Sequence, residues 1–321
     1  MVLAHLFLAI ATSYAAVDRK TDETARALEY YLAGMLAERQ KICSGEFVVT
    51  GTKSARTPDR YQPELDYSGK LLIKCAFDGE QVRCDNLEPD YLLAVSQGKG
   101  PGAPEELRLK PIRANRKYIR TPTRAVAWLE PHRQDTILIA RPPYIVGELL
   151  LLDVQALGMA SWRDLIDGTR LEGMLARLQG YAWDRWVDGT DPAGVQLVFS
   201  METATQLSET RYWLRPEQGF TPVRMVGRVR RRNPPDNEWQ VITESQTAWQ
   251  EISGVWLPVK FDMRHASGTE HRITAQIRWR SVNQPIDERR FDWHDFGPLD
   301  TTKVIDFTGP KPVMVQGLIT P

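Results

Sequence analysis

The chain has 321 residues, 42% hydrophobic and 26% charged, a balance that builds a folded core and argues against disorder. Lys plus Arg (41) equals Asp plus Glu (41), so the basic surplus that a phosphate backbone demands is missing and no nucleic-acid partner is expected. Three cysteines are far too few for a disulfide-built scaffold.

In chain order, Val2 to Ala11 is apolar but for His5 and runs into Ser13-Tyr14-Ala15-Ala16, a small-x-small cleavage site. That stretch is too short to span a bilayer and fits a secretory signal peptide over 1–16, although no Lys or Arg precedes it. No later window is apolar enough to cross a membrane. The expectation is an exported, periplasmic or secreted chain, not membrane-spanning, with 17–321 as a single domain. Asp22 to Lys41 reads as one amphipathic helix, its apolar side carrying Leu28, Tyr31, Leu32, Met35 and Leu36. Thr21 or Asp22 can cap it, and Glu23 favours the positive end of its dipole.

After Ser44-Gly45 the period changes to two, and strands are expected at Glu46–Thr52, Lys70–Phe77, Gln81–Asp85, Arg116–Arg120, Arg124–Leu129 and Asp135–Ala140. Around Asp78-Gly79-Glu80 two hairpin registers compete. A type I′ turn at Asp78-Gly79 sets Cys75 opposite Val82. A type II′ turn at Gly79-Glu80 sets Phe77 opposite Val82 and Cys75 opposite Cys84, keeping apolar against apolar, and is preferred. Cys75 and Cys84 are therefore the candidate disulfide; Cys43 is left over. Gly98 to Pro111 reads as a loop and Ser161 to Gln179 as a second helix, with Leu165, Ile166, Leu171, Met174, Leu175 and Leu178 on its apolar side.

The second half gives strands at Val195–Met201, Glu209–Arg215, Pro222–Arg232, Glu238–Ile252, Val255–Arg264 and Glu270–Val282, with Arg232 to Asn237 as a hairpin loop. Val255, Leu257, Val259, Phe261 and Met263 share a face, as do Ile273, Ala275, Ile277 and Trp279. Such one-sided strands with short connections make an antiparallel meander that must pack on something or curl. The fold expected is α+β: a strongly curved antiparallel sheet forming an incomplete, half-open β-barrel around the N-terminal helix and an inserted helical plug.

Three stretches carry a family likeness. They are the helix running into Ser44-Gly45-Glu46-Phe47, the segment Tyr212 to Arg224 with Pro216-Glu217-Gln218-Gly219 at its turn, and the ending Trp279 to Phe307. In the last, Asn283, Ile286 and Phe291 precede Phe296-Gly297-Pro298 and Lys303-Val304-Ile305-Asp306, without the Gly expected before Val-Ile-Asp. In these the chain resembles the LolA/LolB/LppX superfamily of exported lipid and lipoprotein carriers, with extra sequence around Pro89–Pro111 and Trp183–Pro192. The resemblance implies a hydrophobic cavity inside a half-open barrel.

The candidate lining residues are Phe47, Val49, Leu214, Met225, Val259, Phe261, Met263, Ile277 and Trp279. The competing reading is that the same residues are plain core. Arg224, Arg228, Arg230 and Arg232 share a strand face that could meet lipid headgroups or an acidic partner, or pair with acids such as Glu244 or Glu251. Trp183 and Trp186 fall in an expected loop. His265 and His271 could face each other across a hairpin, and His294 stands between Asp292 and Asp295; His132 has no such company. Neither H-E-x-x-H, G-x-S-x-G, a P-loop nor C-x-x-C occurs, so neither metal nor cofactor is expected. The expected function is non-catalytic binding, extending to transfer, of a lipid or an acylated lipoprotein in the bacterial envelope. The alternative is an envelope protein–protein interaction module with a filled core, and a secreted hydrolase comes last.

Overall fold

A computed structural model describes residues 19–56, 67–88, 91–96, 106–111, 116–129, 136–141, 153–161, 164, 170–180, 184–191, 194–232, 238–267, 269–296, 302–309 and 311–315. The expected signal peptide, Leu165, Ile166, Trp183 and His132 lie outside them. The first helix, α1, spans Arg19–Gln40 and buries Leu28, Leu32 and Met35. It begins upstream of Thr21 and Asp22, so neither caps it.

The strands are β1 (Ser44–Arg56), β2 (Tyr67–Asp78), β3 (Gln81–Asn86), β4 (Tyr91–Ser96), β5 (Glu106–Pro111), β6 (Arg116–Arg120), β7 (Ala125–Leu129) and β8 (Thr136–Ala140). After helix α2 (Leu171–Gly180) come β9 (Asp184–Asp191), β10 (Gly194–Glu202), β11 (Gln206–Arg215), β12 (Thr221–Arg231), β13 (Gln240–Ile252), β14 (Val255–Ser267) and β15 (Thr269–Val282). Two short strands, β16 (Lys303–Asp306) and β17 (Val313–Val315), end the described chain.

Fifteen of these form one sheet in the order β17-β16-β8-β7-β6-β3-β2-β1-β15-β14-β13-β12-β11-β10-β9, while β4 and β5 pair separately. Neighbours run antiparallel except β8 and β16. The sheet is open, with β17 and β9 at its edges, and the N- and C-terminal halves join where β1 meets β15.

Three sequence expectations are corrected. Gly98 to Pro111 is not all loop, since Glu106–Pro111 pairs with Tyr91–Ser96; its alternating Leu107 and Leu109 were outweighed by the neighbouring Gly and Pro. The second helix is not continuous as expected: Asp164 is helical but Arg170 is not, and α2 starts where Asp153 Oδ2 accepts from Leu171 N at 3.2 Å. Trp186 sits half-buried on β9 opposite Val198 rather than in a loop.

The Cys hairpin takes the II′ register. Asp78 pairs with Gln81 around Gly79-Glu80, Phe77 with Val82 and Cys75 with Cys84. Gly79 has φ +54°, the conformation a type II′ turn requires at its first central residue.

The sheet has two cores. On one face α1, α2 and Val154–Ala160 pack against inward residues of strands from β1 to β15. On the other, Ile119, Val126, Trp128, Ile137 and Ile139 of β6, β7 and β8 are covered by Phe291 and Phe296. Consecutive residues such as Tyr118 and Ile119 are thus both buried, one on each face. Ile286, Phe291, Trp293, Phe296 and Val304 all belong to or pack on this second core.

Asn283 ties the end of β15 to the start of β1, where the two halves of the sheet join. Its Oδ1 accepts from Cys43 N (2.9 Å) and Ser44 N (3.4 Å), and its Nδ2 donates to Lys41 O (2.7 Å). Its φ of +51° is one that Asn tolerates better than most side chains. Asn283→Ala is expected to cost about 2 kcal/mol in chemical denaturation, and Asn283→Gly less, because glycine keeps the backbone relaxed. Equal costs would mean that the hydrogen bonds alone matter.

Candidate functional site

The concave face is apolar because the alternation along each strand points one set of side chains inward. Phe47 and Val49 of β1, Leu214 of β11, Met225 of β12, Phe261 and Met263 of β14, and Ile277 and Trp279 of β15 all belong to one cluster. Phe47, Phe77 and Trp279 form an aromatic group, with Phe47 and Trp279 ring centroids 5.0 Å apart. Val259 does not share this face. The β13–β14 register slips at Ala248/Trp249, so that Trp249 opposes Pro258 while Ala248 opposes Lys260, and Val259 falls in the resulting bulge, half-buried.

What fills the concavity is helical. Leu28, Leu32 and Met35 come from α1, Leu171, Met174, Leu175 and Leu178 from α2, and Val154, Ala156, Leu157, Met159 and Ala160 from the turn before it. The polar fastenings of this plug are few. Asp153, whose carboxyl burial pushes upward, accepts from Gln155 N and Leu171 N, and Gln155 Nε2 donates to Ile42 O at 2.8 Å. The space left between plug and sheet is about 40 Å³, bordered by Phe47, Cys75, Phe77, Val82, Tyr118 and Val154. Ligand pockets usually offer several hundred Å³. In this state the concave face is occupied by the chain's own side chains.

A buried cation lies at the end of α1. Arg39 is 1% exposed, stacks its guanidinium 3.9 Å from the Trp249 ring, and donates from Nη1 to Trp256 O at 3.3 Å. Its Nε and Nη2 have no partner, and burial lowers its pKa to about 9. Arg39 was not singled out from the sequence, where it reads as one more polar residue at a helix end.

The arginines of β12 find acids. Arg224 meets Glu244 at 2.8 Å, Arg228 meets Glu209 at 2.6 Å, and Arg232 meets Glu202. Arg228 and Arg230 also lie over the Trp239 ring. His265 and His271 do stand opposite each other across β14 and β15, and burial lowers the pKa of both. Among the described residues no three potential metal ligands gather. His294 is held by Asp292 and stacks on Trp293.

Cys75 and Cys84 face each other as buried thiols with Sγ atoms 3.2 Å apart, and burial drives the Cys75 thiol well above the usual range. Cys43 is exposed. A thiol-alkylating reagent should therefore modify Cys43 in the native protein and spare the buried pair until the chain is unfolded, as peptide mass mapping would show. Labelling of Cys75 or Cys84 at the rate of Cys43 would contradict the packing.

No family model matches the chain, and no curated protein matches it. Two solved structures are similar in backbone. One is a DUF1329 family protein from Desulfovibrio piger, 10% identical, covering 83% of this chain and 97% of its own, with a TM-score of 0.43. The other is a LolA superfamily protein from Nitrosomonas europaea, 11% identical, with the same coverages and a TM-score of 0.35. At these identities and scores the likeness carries nothing about ligand or activity. No helix among the described residues is long and apolar enough to cross a membrane.

Proposed function

We propose that the chain is a non-catalytic binder of a lipid or lipoprotein acyl group in the bacterial cell envelope, with transfer to an acceptor as the natural extension. The observation that supports this is the way the concave face is covered. A broad apolar wall from β1, β11, β12, β14 and β15 is met by helical segments rather than by a second sheet. In this reading the sheet wraps as an incomplete barrel, and α2 with residues 153–160 is a plug that an acyl chain displaces.

The magnitudes allow it. Each methylene moved from water to the wall contributes about 0.8 kcal/mol. The plug's hydrogen bonds through Asp153 and Gln155 are worth about 1 kcal/mol each. Much of the plug's own apolar burial would be replaced by burial of the ligand. Methionines on both sides, Met35 on α1 and Met174 on the plug, Met225 and Met263 on the wall, can re-pack around cargo of varied shape. Phe47, Val49, Leu214, Phe261, Ile277 and Trp279 complete the wall, with Val259 at its margin.

Titration with a fluorescent fatty acid tests the reading. Saturable one-to-one uptake that opens the plug to proteolysis supports it. Absence of uptake at micromolar probe would transfer the assignment to the second reading, an envelope interaction module. The specific observation favouring that alternative is the packing of the chain's own helical side chains against the concave face.

In an oxidising compartment Cys75 and Cys84 would close as a cross-strand disulfide, an external disulfide taking up the two electrons and two protons. Intact mass without reductant, lower by two hydrogens, would establish it.

A further inference from the structure

The ladder between β14 and β15 is incomplete. It runs from Ser267 opposite Thr269 to Lys260 opposite Gln276 and stops there. Past that point Val255 to Pro258 still pair with β13, and Ile277 to Val282 still lie along β1, but the two strands no longer meet. The bulge at Val259 marks the parting. An opening of about 500 Å³ occupies it, lined by Ile277 and Trp279 from the concave side of β15 and by Arg278 and Arg280 from the other. Consecutive residues of β15, from both of its faces, line this one opening, so it runs along the edge of the strand.

The edge of β14 is partly capped. Trp256 O and Pro258 O, two residues apart and therefore on one edge, accept from Arg39 Nη1 and Trp279 Nε1 at 3.3 and 2.9 Å. A slot meant for an added peptide strand would leave those carbonyls free. The charge is one-sided. Arg278 and Arg280 border the slot, Lys260 and Arg278 border the adjoining opening, and no carboxylate lines either. Of the neighbouring acids, Glu46 pairs with Arg290 at 3.1 Å and Asp262 accepts from Thr274 at 2.6 Å, while Glu251, between the lining residues Gln250 and Ile252, is exposed outside the lining.

We propose that this parting between β14 and β15 is the port for an anionic amphiphile. The acyl chain passes Ile277 and Trp279 to reach the concave face, and the carboxylate or phosphate head stays on Arg278, Arg280 and Lys260. The proposal rests on the acyl-binding reading and adds where the ligand enters and what charge it bears.

The test compares, on the full chain, a fluorescent fatty acid with its uncharged methyl ester, in the wild type and in Arg278→Glu/Arg280→Glu. The wild type should bind the acid about tenfold more tightly than the ester, and the double variant should lose that preference. A parallel arm uses vesicles of phosphatidylglycerol or phosphatidylcholine as donors of labelled lipid. A charge preference confined to vesicles assigns the head as phosphate, and one confined to the free acid assigns it as carboxylate; both uphold the port. Uptake of acid and ester alike, and of both lipids alike, would overturn the port while leaving acyl binding intact. Failure of every probe to bind would overturn the acyl reading and the port with it.

Discussion

Met174→Ala is expected to destabilise the protein by about 2–5 kcal/mol and, at the same time, to tighten binding of a fluorescent fatty acid. Met174 is 1% exposed on α2, against the concave wall. Truncating it removes buried methylenes from the contact that a ligand must break. Whatever part of that loss falls on plug closure appears as gained affinity, about tenfold for each 1.4 kcal/mol. The control is Ile137→Ala, equally buried but in the core on the opposite face of the sheet. It should cost comparable stability with no change in affinity. Chemical denaturation and probe titration of the two variants decide the matter. If both variants shift affinity alike, or neither does, α2 is ordinary core and not a displaceable plug.

Gly51→Ala should be severely destabilising. β1 and β15 approach so closely at this point that a Cβ on residue 51 would lie 2.0 Å from Thr274 O and 2.7 Å from Ala275 Cα. Both are backbone atoms of the neighbouring strand, so no rotamer change relieves the overlap and the strands must part at the join between the two halves of the sheet. A loss of about 3 kcal/mol or more is expected. Gly79→Ala gives the comparison: its Cβ would meet nothing, and only the positive φ of the hairpin turn opposes it, worth about 1 kcal/mol. Urea midpoints in the reverse order would mean that the β1–β15 seam is looser than it is drawn here.

Much of the sheet was legible because two-residue alternation leaves little freedom of register. The Phe77–Val82 and Cys75–Cys84 pairs followed from turn chemistry and from matching apolar to apolar. So did the inward set of β15. What the sequence hid has identifiable causes. β9 reads Asp-Arg-Trp-Val-Asp-Gly-Thr-Asp, too polar to announce a strand, and pairs at an edge where one face stays wet. The bulge at Val259 takes that one residue out of the buried set, while Val255, Leu257, Phe261 and Met263 on either side keep to the alternation. The parting of β14 from β15 is a property of pairing between strands, invisible along either one. Arg39 sits one turn beyond the apolar stripe of α1, and only the arrival of Trp249 and Trp256 from the sheet buries it. The acids that answer Arg228 and Arg232 are on β11 and β10, not on β13 alone, so their identity depended on strand order.

The most direct test of the central claim is native mass spectrometry of the full chain, purified gently from a bacterial envelope, followed by solvent extraction. An acyl-group carrier should appear with one additional lipid or acyl species of defined mass, released by solvent and replaced by added fatty acid. A bare protein mass, together with no uptake of fatty acid by that preparation, would contradict the account and leave the concave face as filled core.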